Sequence, residues 1–166
     1  MTARTGPPAA ERELVITREL DAPPSLVFQA WTEPQHFVRW WGPNGFTTPF
    51  CKIDLRPGGV LHYCMRSPEG QDFWAKGIYS EIVPPKRLVF TDSFADEQGN
   101  QVPASHYGLT SDWPAETLVT VVFAEHQGKT RLTLRHSGIP SGKDGEMTET
   151  GWKESVERLS GYLAKA

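Results

Sequence analysis

A chain of 166 residues with 38% hydrophobic residues is long enough to bury a core, and a formal charge of −3 gives no reason to hold a phosphate backbone. No run of eighteen apolar residues occurs, and residues 1–12 (MTARTGPPAAER) lack the apolar centre of a secretory signal. Nucleic-acid binding and stable membrane association are therefore set aside, and a cytoplasmic location is expected.

Residues 1–12 read as a mobile tail, leaving 13–166 as one domain. Glu13–Leu20 carries the strand formers Val15, Ile16 and Thr17, and Asp21-Ala22-Pro23-Pro24 stops it. Ser25 is placed to cap a short helix through Thr32 with Leu26, Val27, Ala30 and Trp31 inward. Pro34 opens a second helical turn, QHFVRWW, which Gly42-Pro43 ends.

From Phe46 the hydrophobic period becomes two. Thr48–Leu55 alternates, Arg56-Pro57-Gly58-Gly59 turns, and Leu61, Tyr63 and Met65 then share one face of the next strand. Phe73–Val83 and Leu88–Phe94 continue a meander, joined by Pro84-Pro85-Lys86. Asp96–Ala115 is the longest irregular stretch; with Tyr107, Leu109 and Trp113 in it, it reads either as the rim of a site or as a surface loop. Glu116–Ala124 sets Val119, Val121 and Phe123 on one face, and Thr130–His136 does the same with Leu132, Leu134 and His136. In Glu146–Lys165, Trp152, Val156, Leu159 and Leu163 recur at helical spacing, so this helix must lay one apolar stripe on the sheet. The order predicts an α+β fold: a curved antiparallel sheet across whose concave side the C-terminal helix lies.

In FQAWTEPQHFVRWWGP (28–43), DLRPGGVLHYCMRSPEG (54–70), GIYSEIVPPKRLVFTDSF (77–94), TRLTLRHSGIP (130–140) and GWKESVERLSGYL (151–163), the chain resembles the homologues of the activator of the 90-kDa heat-shock protein ATPase, within the START-like (SRPBCC) superfamily. The resemblance spans roughly 13–165. It implies the helix-grip fold, in which a seven-stranded sheet wraps the C-terminal helix and leaves a cavity. Relatives in the superfamily include lipid and sterol carriers, hormone receptors, aromatic cyclases and chaperone co-factors, so fold alone does not set the function. The resemblance leaves a chaperone partner open, and a homodimer is not excluded by the sequence.

Catalytic patterns are sparse. The five histidines show no ligand spacing, no serine sits in a nucleophile elbow, and Gly58-Gly59 is a turn and not a phosphate cradle; no metal and no cofactor are expected. Cys51 and Cys64 match no metal or redox spacing and read as reduced structural thiols. Asp54, Glu81 and Asp92 lie in or beside strands, and most are expected to face water. His136 is in phase with Leu132 and Leu134: it is either a core histidine or a ring that orients a ligand or moves a proton in a cyclase or lyase.

Six Trp and eight Phe remain to be placed. Trp40, Trp41, Phe46, Tyr63, Met65, Phe73, Trp74, Phe90, Val121, Phe123, His136, Trp152, Ser155 and Leu159 should converge between sheet and helix. They either pack solid or line a pocket for a small hydrophobic or amphipathic ligand. A non-catalytic carrier or sensor is the leading expectation. No exposed apolar patch is expected on the outer strand faces.

Overall fold

A computed structural model of the protein describes residues 11–109, 113–140 and 142–165. Its elements run β1 (Glu11–Leu20), α1 (Pro24–Thr32), α2 (Pro34–Trp40), β2 (Thr47–Ile53), β3 (Val60–Arg66), β4 (Asp72–Val83), β5 (Arg87–Ala95), a 3-10 turn (Ala104–Tyr107), β6 (Thr117–His126), β7 (Lys129–Pro140) and α3 (Lys143–Ala164). The seven strands form one antiparallel sheet in the order β1-β7-β6-β5-β4-β3-β2. Six consecutive strands make the expected meander, and β1 adds to its far side against β7, because α1 and α2 carry the chain across from one edge to the other. Of the expected tail 1–12, residues 1–10 lie outside the described residues, whereas Glu11 and Arg12 already pair with Pro140 and Ile139.

Alternation decides which side of each strand is wet. Leu61 and Tyr63 on β3, Ala75 and Tyr79 on β4, Val119, Val121 and Phe123 on β6, and Leu132 and Leu134 on β7 are all buried on the concave face. Gln127 and Gly128 both take positive φ, 56° and 82°, the geometry that lets a two-residue turn follow the twist of β6 and β7. Register shifts in β1, β2 and β4 interrupt the ladder and bend the sheet around α3. On α3 the buried set is Gly145, Trp152, Ser155, Val156, Leu159 and Leu163, the expected stripe with two small residues added.

The first helix departs from expectation at two residues. Ser25 does not cap it: the N-cap is Pro23, with no side-chain cap, and Pro24, whose ring fixes a helical φ, starts the first turn. Leu26 is 44% exposed, since Val27, Phe28, Ala30 and Trp31 already define the buried face and Leu26 falls beside it.

The two short helices plug one end of the grip with rings. Trp31 stacks on Trp152 at 6.1 Å and meets Trp40 edge-on at 4.8 Å, while Phe37 stacks on Trp41 at 4.3 Å. The Trp40 indole donates to the Ala30 carbonyl at 2.9 Å, so its one polar atom is satisfied inside the plug. This end is solid; the space lies at the other.

Candidate ligand-binding site

A cavity of about 240 Å³ lies between β3, β4 and β5, the start of α3, and the 96–115 segment. Trp41, Tyr63 and Trp152 form the wall that separates it from the aromatic plug, with Trp41 edge-on to the other two at 5.2 Å. Met65, Phe73 and Phe94 continue the lining from the strands, and Met147, Thr148 and Ser155 from α3. The 96–115 segment contributes Leu109, Trp113 and Pro114.

The described parts of that segment, 96–109 and 113–115, are fastened as a rim, while 110–112 lie outside the described residues. The Asp96 carboxylate accepts from the Gln98 and Asn100 amides, closing a turn. The Tyr107 hydroxyl donates to the Ala95 carbonyl at 2.5 Å and accepts from the Trp74 amide at 3.1 Å. Across the mouth, the Trp113 indole donates to Asp144 at 3.2 Å, linking the rim to the first turn of α3.

One polar chain crosses the cavity wall, and its directions follow from a single group. The Trp152 indole can only donate, and it donates to His136 Nδ1 at 2.9 Å, so the imidazole proton sits on Nε2. Nε2–H then donates to the Thr117 hydroxyl at 2.8 Å, and Thr117 donates to the Asp92 carbonyl at 3.1 Å. Burial holds His136 neutral by lowering its pKa to about 4. With both ring nitrogens taken, the imidazole has neither a lone pair nor a proton to exchange with a guest. It is a structural member of the wall, and its partners are side chains and not the backbone.

Asp92 brings an ionisable carboxyl to the cavity wall. Its carboxyl accepts from the Tyr63 hydroxyl at 3.3 Å, and burial raises its pKa to about 7, against which the Tyr63 hydrogen bond acts only in part. The side chain is half-buried; what solvent it meets, it meets through the cavity. Burial also lifts Tyr63 well above its ordinary value, helped by the Asp92 charge, so the phenol stays a donor.

Of the residues expected at the site, Trp41, Tyr63, Met65, Phe73, His136, Trp152 and Ser155 line the cavity. Trp74 only edges it: alternation turns Phe73 inward, and the Trp74 ring packs on Phe50 at 5.4 Å and His62 at 5.1 Å on the convex face. Trp40, Phe90, Val121, Phe123 and Leu159 belong to the solid core, behind the wall that Trp41 and Trp152 make. Phe46 lies outside the lining, beside Phe73 at 6.3 Å. Asp92 was not expected inside. Its signal was present, because it continues the period-two face of Leu88 and Phe90, as Thr117 continues that of Val119 and Val121.

Cys51 and Cys64 are free thiols whose pKa values burial pushes up to about 12 and about 11. Cys51 pairs with Tyr63 while Cys64 pairs with Phe50 and Trp74, so they point to opposite faces of the sheet. Among the described residues no group of His, Cys, Asp and Glu could hold a metal ion, and no helix is long and apolar enough to cross a membrane.

A curved seven-stranded sheet gripping a C-terminal helix, with a cavity between them, is the helix-grip architecture of START-like proteins. The chain belongs to the family described as Activator of Hsp90 ATPase homolog 1-like protein, which matches residues 21–164. Similar solved structures include a protein of Chromobacterium violaceum (26% identity, TM-score 0.76, covering 91% of this chain and 96% of that one). An Arthrobacter aurescens protein matches at 27% identity and TM-score 0.75, over 93% and 87% of the two chains. The AHSA1 protein of Silicibacter pomeroyi matches at 26% and 0.73, over 92% and 98%. A search of the curated proteins finds no significant match. Membership of this family suggests a ligand-binding or co-chaperone-like role.

Proposed function

We propose that the protein binds a small amphipathic molecule in the cavity between the sheet and α3, as a carrier or sensor and not as a catalyst. The observation that carries this reading is the cavity itself: an apolar, ring-lined space with a few polar groups at one wall, the usual form of a small-molecule site. With both ring nitrogens engaged, His136 has no free acid or base to offer, which argues against a cyclase or lyase in which it moves the proton. Native mass spectrometry of protein taken from cells, followed by thermal shift against small amphiphiles, tests it. Co-purified mass or a raised Tm is expected; no bound mass and an unmoved Tm throughout would defeat the reading.

A second reading, a surface for a chaperone partner, draws on the convex face. Phe50, Val60 and Ile78 are 39%, 38% and 38% exposed, with Val60 and Ile78 paired across β3 and β4. These exposed apolar side chains depart from the expectation for the outer strand faces, although the row Lys52, His62 and Lys76 stands between Phe50 and the Val60–Ile78 pair. Stimulation of a chaperone ATPase that Phe50→Asp abolishes would support it; no stimulation by the intact protein would exclude it.

A further inference from the structure

We propose that the cavity's guest is an organic amine on a small apolar body, its ammonium group set against the Asp92 carboxylate and its body among the rings, and that carboxylate-bearing amphiphiles are refused. This rests on the reading of the cavity as a ligand site.

Donors and acceptors around the cavity are unequally matched. Among the described residues, most of the polar hydrogens on its wall are already used within the protein. Trp152 donates to His136, His136 to Thr117, Thr117 to the Asp92 carbonyl, and Trp113 to Asp144. Tyr63 donates to Asp92; Ser155 and Thr148 donate to the Gly151 and Asp144 carbonyls of their own helix. What faces a guest is therefore mainly acceptor capacity: carboxylate and hydroxyl oxygens. A guest that brings only acceptors would find few donors and leave the Asp92 carboxylate short of partners, at a cost that selects against it.

Charge points the same way. Among the described residues the charged side chains in the lining are Asp92 and Asp144, with no Lys or Arg. On the adjoining part of α3, Arg158 is turned to the carbonyls of Gly42 and Pro43, both at 2.8 Å, and Lys153 pairs with Glu149 at 3.0 Å. Among the described residues the Asp92 carboxyl accepts one hydrogen bond, from Tyr63 to Oδ1, which leaves Oδ2 for a guest. Indole and phenyl faces beside a carboxylate attract an ammonium group and offer nothing to an anion. At roughly 30 Å³ per water-sized group, 240 Å³ holds about eight such groups, which suits one ring or a short chain with an amine.

The test is calorimetric titration at pH 8 with two matched sets: phenethylamine, phenylethanol and phenylpropionate, and octylamine, octanol and octanoate. Within at least one set the amine should bind tenfold or more tighter than both counterparts. Asp92→Asn, checked for folding by circular dichroism, should cut amine affinity at least tenfold and leave the alcohol within threefold. An alcohol or carboxylate that matches the amine in both sets, or amine binding unchanged in Asp92→Asn, overturns the amine assignment while the ligand site stands. Binding by none of the six overturns the ligand-site reading, and the amine assignment with it. If Asp92→Asn does not fold, the wild-type ranking decides alone.

Discussion

Replacing Asp92 by Asn should stabilise the unliganded protein at pH 8 and leave it nearly unchanged at pH 4. The folded carboxyl titrates at about 7, against an ordinary 3.8, because the interior disfavours its charge. Between those values the folded chain holds a proton that the unfolded chain has released, so wild-type stability falls as pH rises through the window and levels off above it. A gap of about three pH units at ~1.36 kcal/mol each sets a ceiling of about 4 kcal/mol. Solvent reaching Asp92 through the cavity reduces this, and about 2 kcal/mol is the working expectation. For a chain of this size that is a rise in Tm of about 4–8 °C at pH 8. The groups around Asp92 are Tyr63 on β3, Thr117 on β6, His136 on β7 and Asp144 on α3, with Cys51 on β2 behind Tyr63. Of these only His136 has a depressed titration that overlaps the window, and it is common to both proteins, so subtracting the two curves isolates Asp92. Urea unfolding from pH 4 to pH 8 reads the difference directly. A variant that is less stable than wild type at pH 8, or a difference that does not change with pH, would refute the assignment of a buried, strained carboxylate.

His136→Phe leaves the Trp152 indole hydrogen and the Thr117 oxygen without their partner and should cost about 2–3 kcal/mol at pH 7, measured by urea unfolding. Because the folded imidazole resists protonation down to about 4, wild-type stability falls as pH drops from 6.5 towards 4; the gap to His136→Phe should therefore narrow at pH 5. Gly77→Ala would set a methyl 2.2 Å from the Thr91 carbonyl oxygen and force β4 from β5 next to Asp92, a loss of about 1–3 kcal/mol in chemical denaturation. Arg158→Met keeps the aliphatic stem but removes the bonds to Gly42 and Pro43, and should cost about 1.5–3 kcal/mol and speed amide exchange at Phe46.

Much of the architecture was legible because burial writes itself as period. Trp152, Val156, Leu159 and Leu163 announce the gripping helix, and Val119, Val121, Phe123, Leu132 and Leu134 announce the two long strands under it. The candidate site was only half legible. Period says that Trp41 and Phe90 are both inward, but whether an inward side chain meets another ring or a void depends on how α1 and α2 fill one end, a property of packing and not of spacing. Asp92 was not singled out because of its chemical type: of the acids Asp54, Glu81 and Asp92 most were expected to face water, and only its phase with Leu88 and Phe90 marks it as the inward one. Ser25 was misjudged for the same kind of reason, a good capping residue displaced by the more rigid Pro24 next to it.

The bulkhead of Trp41 and Trp152 divides labour between two compartments. Behind it, interlocked indoles and phenyls hold the fold together without help from any guest. In front of it, substitutions at Met65, Phe73, Leu109 or Met147 can reshape the chamber while the scaffold stays standing. Sequence drift is thus channelled to the chamber side, a physical route by which one grip could come to hold unlike molecules in unlike organisms.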